Sequence, residues 1–179
     1  TVGGAAVVAA DNDPLPAALL ACDAEVILAT QAGEQVMSYA EFLDRRAALL
    51  AAPAIVTGLR VPVTDVATGY ALETVARTPS DAPIVLAVAA LTFGALSAHD
   101  GRCTAARLAL GGVAPNPLRV PAVEAALTGQ SLTPDLIADA AAQLAPLVHP
   151  AGDFRGSGEY RREMAVVLAR RALTQARRP

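Results

Sequence analysis

Every apolar stretch in this chain is cut by Asp, Arg, Pro or Gly before it reaches the roughly 18–20 residues that a membrane-spanning helix needs. The mean hydropathy is nonetheless high, at +0.42. We therefore assign the apolar excess to a core and to subunit interfaces rather than to a membrane. The cuts also set the fold. Strand-length apolar runs separated by turn residues predict an antiparallel sheet with helices packed on it. Aromatic residues make up only 3% of the chain and tryptophan is absent, so the core must be aliphatic.

The chain begins Thr1-Val2-Gly3-Gly4 and reaches Asp11-Asn12-Asp13-Pro14 just before the apolar segment Leu15–Leu20. Adjacent glycines allow φ > 0 and let a large ligand approach the main chain. They predict a tight bend whose N–H groups, with the Thr1 hydroxyl, can meet a phosphate. Asp13 reads as a helix N-cap and Pro14 as the first helical residue, so an anion-favouring terminus follows closely. Taken alone, the glycine pair says no more than a bend leading to a helix.

Ala24–Thr30 reads as a buried strand, Gln31–Glu34 as a hairpin turn and Gln35–Met37 as the returning partner. Ser38 and Glu41 have capping-box spacing and start a short helix carrying Tyr39, Phe42 and Leu43. Further strands are expected over Ala54–Val61, Gly69–Arg77, Ile84–Thr92 and Cys103–Leu110. Turns fall at Pro79-Ser80-Asp81 and His99-Asp100-Gly101.

Past Gly111-Gly112 and Pro115-Asn116-Pro117, read as a strand terminator, the pattern changes to helices. Pro121–Leu127 is a short one, closed by Gly129. Thr133-Pro134-Asp135 starts the next, with Leu136, Ile137, Ala140, Ala141 and Leu144 at helical spacing. A long C-terminal helix follows Gly156-Ser157-Gly158, with Tyr160, Met164, Val167 and Leu168 on one face. The expected fold class is α+β. Two domains are expected, residues 1–101 and residues 102–179, the shift from strands to helices coming near Gly111–Leu118.

Net charge is −3, which offers no basic field for nucleic acid. All fourteen basic residues are arginines, and Arg161, Arg162, Arg170, Arg171, Arg177 and Arg178 crowd the last nineteen positions. That cluster reads as a solvated or subunit-facing helix side. Cys22 and Cys103 form no framework and read as small buried hydrophobes in a reducing compartment. No signal peptide is visible, so the expected location is cytoplasmic. His99 and His149 lie far apart in turn-like contexts, and neither a catalytic set nor metal-ligand spacing emerges.

Three stretches taken together carry a resemblance. They are Thr1-Val2-Gly3-Gly4, the run Leu108–Arg119 (LALGGVAPNPLR) and the run Asp153–Arg162 (DFRGSGEYRR). In order and spacing the chain resembles, nearly end to end, the medium, FAD-binding subunit of molybdenum hydroxylases, the carbon monoxide dehydrogenase and xanthine dehydrogenase family. The resemblance implies a second FAD-binding subdomain over residues 1–101, an antiparallel sheet plus helices, and a C-terminal flavoprotein domain over 102–179, short strands plus a helical bundle. The family's first flavin subdomain, which brings other phosphate contacts, has no counterpart in this sequence. FAD contacts are implied at Thr1, Val2, Gly3, Gly4, Asp13, Glu73 and Asp81. So is a relay: a large subunit hydroxylates substrate at a molybdenum cofactor, [2Fe–2S] clusters on a small subunit carry the electrons, and FAD passes them to an acceptor. No catalytic residue on this chain is implied.

Four positions depart from that family's pattern. Ala5 replaces a usual Asn, and Pro14 replaces a common Asp, with Asp11 and Asp13 as stand-ins. Thr74 replaces the Lys of a Glu-Lys pair that begins at Glu73, and Ala82 replaces the aromatic that commonly follows the Asp at Asp81. Each change removes a polar or stacking contact of order ~1 kcal/mol. The alternative function is therefore a structural or assembly subunit of the same complex with an incomplete flavin site. Asp153, Arg155 and Ser157 read as an ion pair and a cap for the last helix.

Overall fold

Seven strands and six helices follow one another among the described residues, 1–63, 67–94 and 102–177, of this computed structural model. The first half runs α1 (Val2–Val8), α2 (Pro14–Ala21), β1 (Glu25–Thr30), β2 (Gly33–Ser38), α3 (Tyr39–Ala51) and β3 (Ala54–Arg60). The rest is β4 (Thr68–Val75), β5 (Val85–Phe93), β6 (Cys103–Gly111), β7 (Leu118–Arg119), α4 (Pro121–Leu127), α5 (Pro134–Ala142) and α6 (Gly158–Ala176). The strands form two antiparallel sheets, β2-β1-β3 and β4-β5-β6-β7, in keeping with the α+β class expected from the sequence. The turn expected at His99-Asp100-Gly101 lies outside the described residues.

The continuous apolar run from Ile84 has a direct cause. All nine residues of β5 are buried because the strand lies between two cores. Val85, Ala87, Ala89, Leu91 and Phe93 belong to the core under α4, α5 and α6, whereas Leu86 and Val88 join the core built by α1, α2, α3 and the first sheet. A strand covered on both faces needs apolar side chains at both parities, which erases the usual alternation. The domain division expected at residue 101 falls between β5 and β6, which pair antiparallel from Leu86↔Gly111 to Phe93↔Cys103.

Local chemistry starts most helices where the sequence predicts. Asp13 Oδ1 accepts from the Leu15 amide at 2.9 Å, and Ser38 Oγ from the Glu41 amide at 3.1 Å. Thr133 Oγ1 accepts from Leu136 N at 3.2 Å, and Ser157 Oγ from Tyr160 N at 3.1 Å. Each cap satisfies one of the free amides of a first turn.

The glycine pair behaves differently from expectation. Gly3 and Gly4 form no bend; they lie inside α1 with ordinary negative φ, and Thr1 caps the helix by accepting from Gly4 N at 3.1 Å. Partners from α3 secure this glycine-containing helix. The buried Tyr39 hydroxyl donates to the Ala6 carbonyl at 2.8 Å, and Arg46 Nη1 donates to the Val8 carbonyl at 2.6 Å. The last helix also differs. Its buried face is Arg161, Ala165, Leu168, Ala169, Ala172, Leu173 and Ala176, while Tyr160, Met164 and Val167 are half-buried. Small residues let α6 lie close on β4: a Cβ on Gly69 would stand 1.9 Å from the Ala176 carbonyl oxygen.

Candidate functional site

An open hollow of about 460 Å³ forms where the start of α2 meets the end of β4 and the turn that follows it. Pro14, Thr74, Arg77, Asp81 and Pro83 are among its lining residues. The Asn12 side-chain amide donates to the Pro83 carbonyl at 3.1 Å and so ties the two segments together. Arg77 and Asp81 form a loose, exposed ion pair at 3.7 Å, the kind that contributes little to stability.

The residues expected to contact a flavin divide among separate places. Asp81 lines the hollow, and Asp13 caps the helix whose first residue, Pro14, also lines it. One Asp13 oxygen is committed to that cap. Glu73 does not take part. It lines a second groove with Pro134, Asp135, Arg170 and Arg171, because neighbouring strand residues face opposite sides and Thr74 takes the side of the hollow. Thr1, Val2, Gly3 and Gly4 are exposed and are not among the residues lining the hollow. At Gly3 a Cβ would meet nothing within 4 Å, and the amides of Val2 and Gly3 have no acceptor within the helix.

Two ionic clusters escaped the sequence reading. Arg161, expected on a solvated or subunit-facing helix side, is only 3% exposed. Its Nη1 donates to the carbonyls of Ile84 at 2.8 Å and Gly112 at 3.0 Å, and its Nη2 pairs with Asp153 at 2.7 Å. The backbone of Gly112 comes so near that a Cβ there would stand 2.1 Å from the Ile84 carbonyl, and its φ of +77° suits only glycine. The Arg161 hydrogen bond, foremost, holds the Asp153 carboxyl far below the usual carboxylate range; the Arg155 amide and side chain add to it and partial burial opposes it. Arg155 and Ser157 do act as the sequence predicts, as ion-pair partner and cap. The doubled Arg161-Arg162 gave no sign of which side chain turns inward.

The second cluster explains Arg119, the last residue of the second motif. Its Nε and Nη2 donate to the two oxygens of the buried Glu124, each at 2.6 Å, and Glu124 also accepts from the Leu108 amide at 3.0 Å. Arg119 and Arg107 both donate to Asp23 at the end of α2. The hydrogen bond to Glu124, foremost, raises the Arg119 pKa against the effect of burial. The cluster fastens α2 to β6, β7 and α4. Burial pushes the thiols of Cys22 and Cys103 up as well, which makes both poor nucleophiles. Among the described residues, no group of three or more His, Cys, Asp or Glu could hold a metal, and no helix is long and apolar enough to cross a membrane.

This two-sheet architecture is that of a known class of oxidoreductase chain. The chain superposes on one from the carbon monoxide dehydrogenase of Hydrogenophaga pseudoflava that lacks the Mo-pyranopterin moiety, with a TM-score of 0.86 and 27% identity, covering 98% of this chain and 60% of that one. It superposes on quinoline 2-oxidoreductase from Pseudomonas putida 86 with a TM-score of 0.85 and 25% identity, covering 99% and 60%. Residues 70–176 match the CO dehydrogenase flavoprotein C-terminal domain, and the chain belongs to that family. It is 29% identical over 178 residues to the carbon monoxide dehydrogenase medium chain of Afipia carboxidovorans, covering 99% of this chain and 60% of the relative. It is 30% identical over 183 residues to the glyceraldehyde dehydrogenase medium chain of Sulfolobus acidocaldarius, covering 98% and 60%. The chain thus spans about 60% of the length of these relatives.

Proposed function

We propose that this chain is the FAD-binding, electron-transferring part of a molybdenum hydroxylase medium subunit. Its partners in that reading are a small iron–sulfur subunit and a large molybdenum subunit. The observation that carries the reading is likeness along nearly the whole chain, 98–99% of it, to chains of carbon monoxide dehydrogenase and quinoline 2-oxidoreductase, with a flavoprotein family matched over residues 70–176.

The residues present fit such a cofactor. The first turn of α1 offers the amides of Val2 and Gly3, and space beside Gly3, to a diphosphate. The hollow at Pro14, Thr74, Arg77 and Asp81 offers hydrogen-bonding groups to a ring system. When bound, FAD supplies the reversible uptake and release of electrons; the protein binds and orients it. Asp13 serves by setting the helix start beside the hollow. Glu73, turned to the other side of β4, has no part in this account.

One observation favours the assembly reading. The hollow's border carries Thr74 and, beside Asp81, Ala82, in place of the lysine and the aromatic of the family pattern. The full-length medium chain titrated with FAD separates the two. We expect a yellow protein whose melting temperature rises, since ligand at a hundred times its Kd stabilises by about 2.7 kcal/mol. A chain that joins its partners but stays colourless and unshifted overturns the flavin reading and leaves the assembly role.

A further inference from the structure

Phe154 is 85% exposed, on a turn that is otherwise held firmly. The backbones of Asp153 and Gly156 bond each other at 3.0 and 3.2 Å, and Asp153 Oδ1 accepts from the amides of Arg155 at 2.9 Å and Gly156 at 3.2 Å. Beneath the turn, the buried Arg161 holds the same carboxylate. The ring is therefore presented to solvent from an ordered base. The guanidinium carbons of Arg77 and Arg155 each lie 5.8 Å from its centroid, within cation–π range. Among the described residues, Arg155 and Arg161 both pair with the carboxylate of Asp153, and the one ion pair of Arg77 is the loose contact with Asp81. Two guanidinium groups thus flank the ring, and the ion pair made by Arg77 is the looser one.

We propose that the surface made by Phe154, Arg77 and Arg155 docks the iron–sulfur subunit, which presents to it an apolar recess rimmed by carboxylates. The proposal rests on the electron-transfer reading above and names the contact surface within it. Arg77 belongs both to this patch and to the hollow that holds Thr74 and Asp81. A partner that covers Phe154 therefore borders the hollow. Electrons cross only short gaps between centres, so the partner at that border is the one that exchanges electrons with a flavin held there. The chemistry of the patch fits such a contact. Aromatic and arginine anchors dominate binding energy at interfaces, and an anchor already ordered loses less freedom on binding. Covering the ring also removes water from two guanidinium groups, and the partner's carboxylates must replace it.

The test measures association of the full-length medium chain with the separately purified iron–sulfur subunit, at low and moderate salt. Wild type is compared with Phe154→Ala and Arg77→Glu. The Phe154 side chain is exposed and is not among the residues lining the hollow, so Phe154→Ala is expected to keep the wild-type melting temperature and flavin spectrum. Phe154→Ala is expected to weaken association about thirtyfold, as loss of a central aromatic anchor does. Arg77→Glu is expected to weaken it as well, and wild-type affinity is expected to fall with added salt. Equal affinity for wild type and Phe154→Ala overturns this docking surface while the electron-transfer reading stands. A wild-type chain that never binds the iron–sulfur subunit overturns both.

Discussion

Arg161 joins three segments that are remote in sequence: the last helix, the start of β5 and the glycine end of β6. Replacing it with Met would take that donor from two carbonyls and would leave the Asp153 carboxylate to Arg155 and to the amides of the turn. That change is expected to cost about 1–3 kcal/mol in denaturant unfolding, the cost of leaving buried carbonyls without a donor. Arg170→Met, on the exposed side of the same helix, is expected to stay within about 0.5 kcal/mol. Asp153 gives the cluster a pH signature. Its native pKa is depressed, so its contribution is fully present above the unfolded-state value of about 3.9 and is lost as pH falls through the native value. Acid melts of Asp153→Asn should therefore be flatter than those of wild type below about pH 4. Equal slopes would show that Arg161 does not hold that carboxylate.

Among the elements, α1 and α6 show how tertiary contact overrides local preference. Glycine disfavours helix by about 1 kcal/mol relative to alanine, yet Gly3 and Gly4 are helical because Thr1 caps the turn and Tyr39 and Arg46 hold the carbonyl end. A periodicity search marks Leu, Val and Met, and so it missed a buried face of α6 made largely of alanine. The close approach of that face to β4 makes Gly69 sensitive. Gly69→Ala drives a methyl into the Ala176 carbonyl, which is backbone and cannot swing aside. A loss of roughly 1–3 kcal/mol, read as a lower melting temperature, is expected. An unchanged melt would mean that α6 lies farther from β4 than these contacts show.

At the scale of the whole molecule, β5 is the shared wall of both cores, with Leu86 and Val88 on one side and Leu91 on the other. We expect the two halves to unfold together. Leu86→Ala should cost about 2–5 kcal/mol, and far-UV circular dichroism and tyrosine fluorescence should still report one transition. Two separate transitions would show the cores to be independent. The caps at Asp13, Ser38, Thr133 and Ser157 and the hairpin at Gln31-Ala32 were legible in the sequence because each depends on partners a few residues away. Strands β1 to β6 were legible because turn residues bound their apolar runs; the short β7 was not. The Thr-Val-Gly-Gly, LALGGVAPNPLR and DFRGSGEYRR motifs were legible too, and they named the family that residues 70–176 then matched. What the sequence left open lies between residues far apart. The burial of Arg161 depends on partners 77 and 49 residues away. Glu73 parts from Thr74 because the two take opposite faces of β4, and only the helices packed on the second sheet decide which face is which. Local hydrogen bonding is written in neighbouring residues, whereas burial and sidedness are settled only when distant segments compete for the same surface.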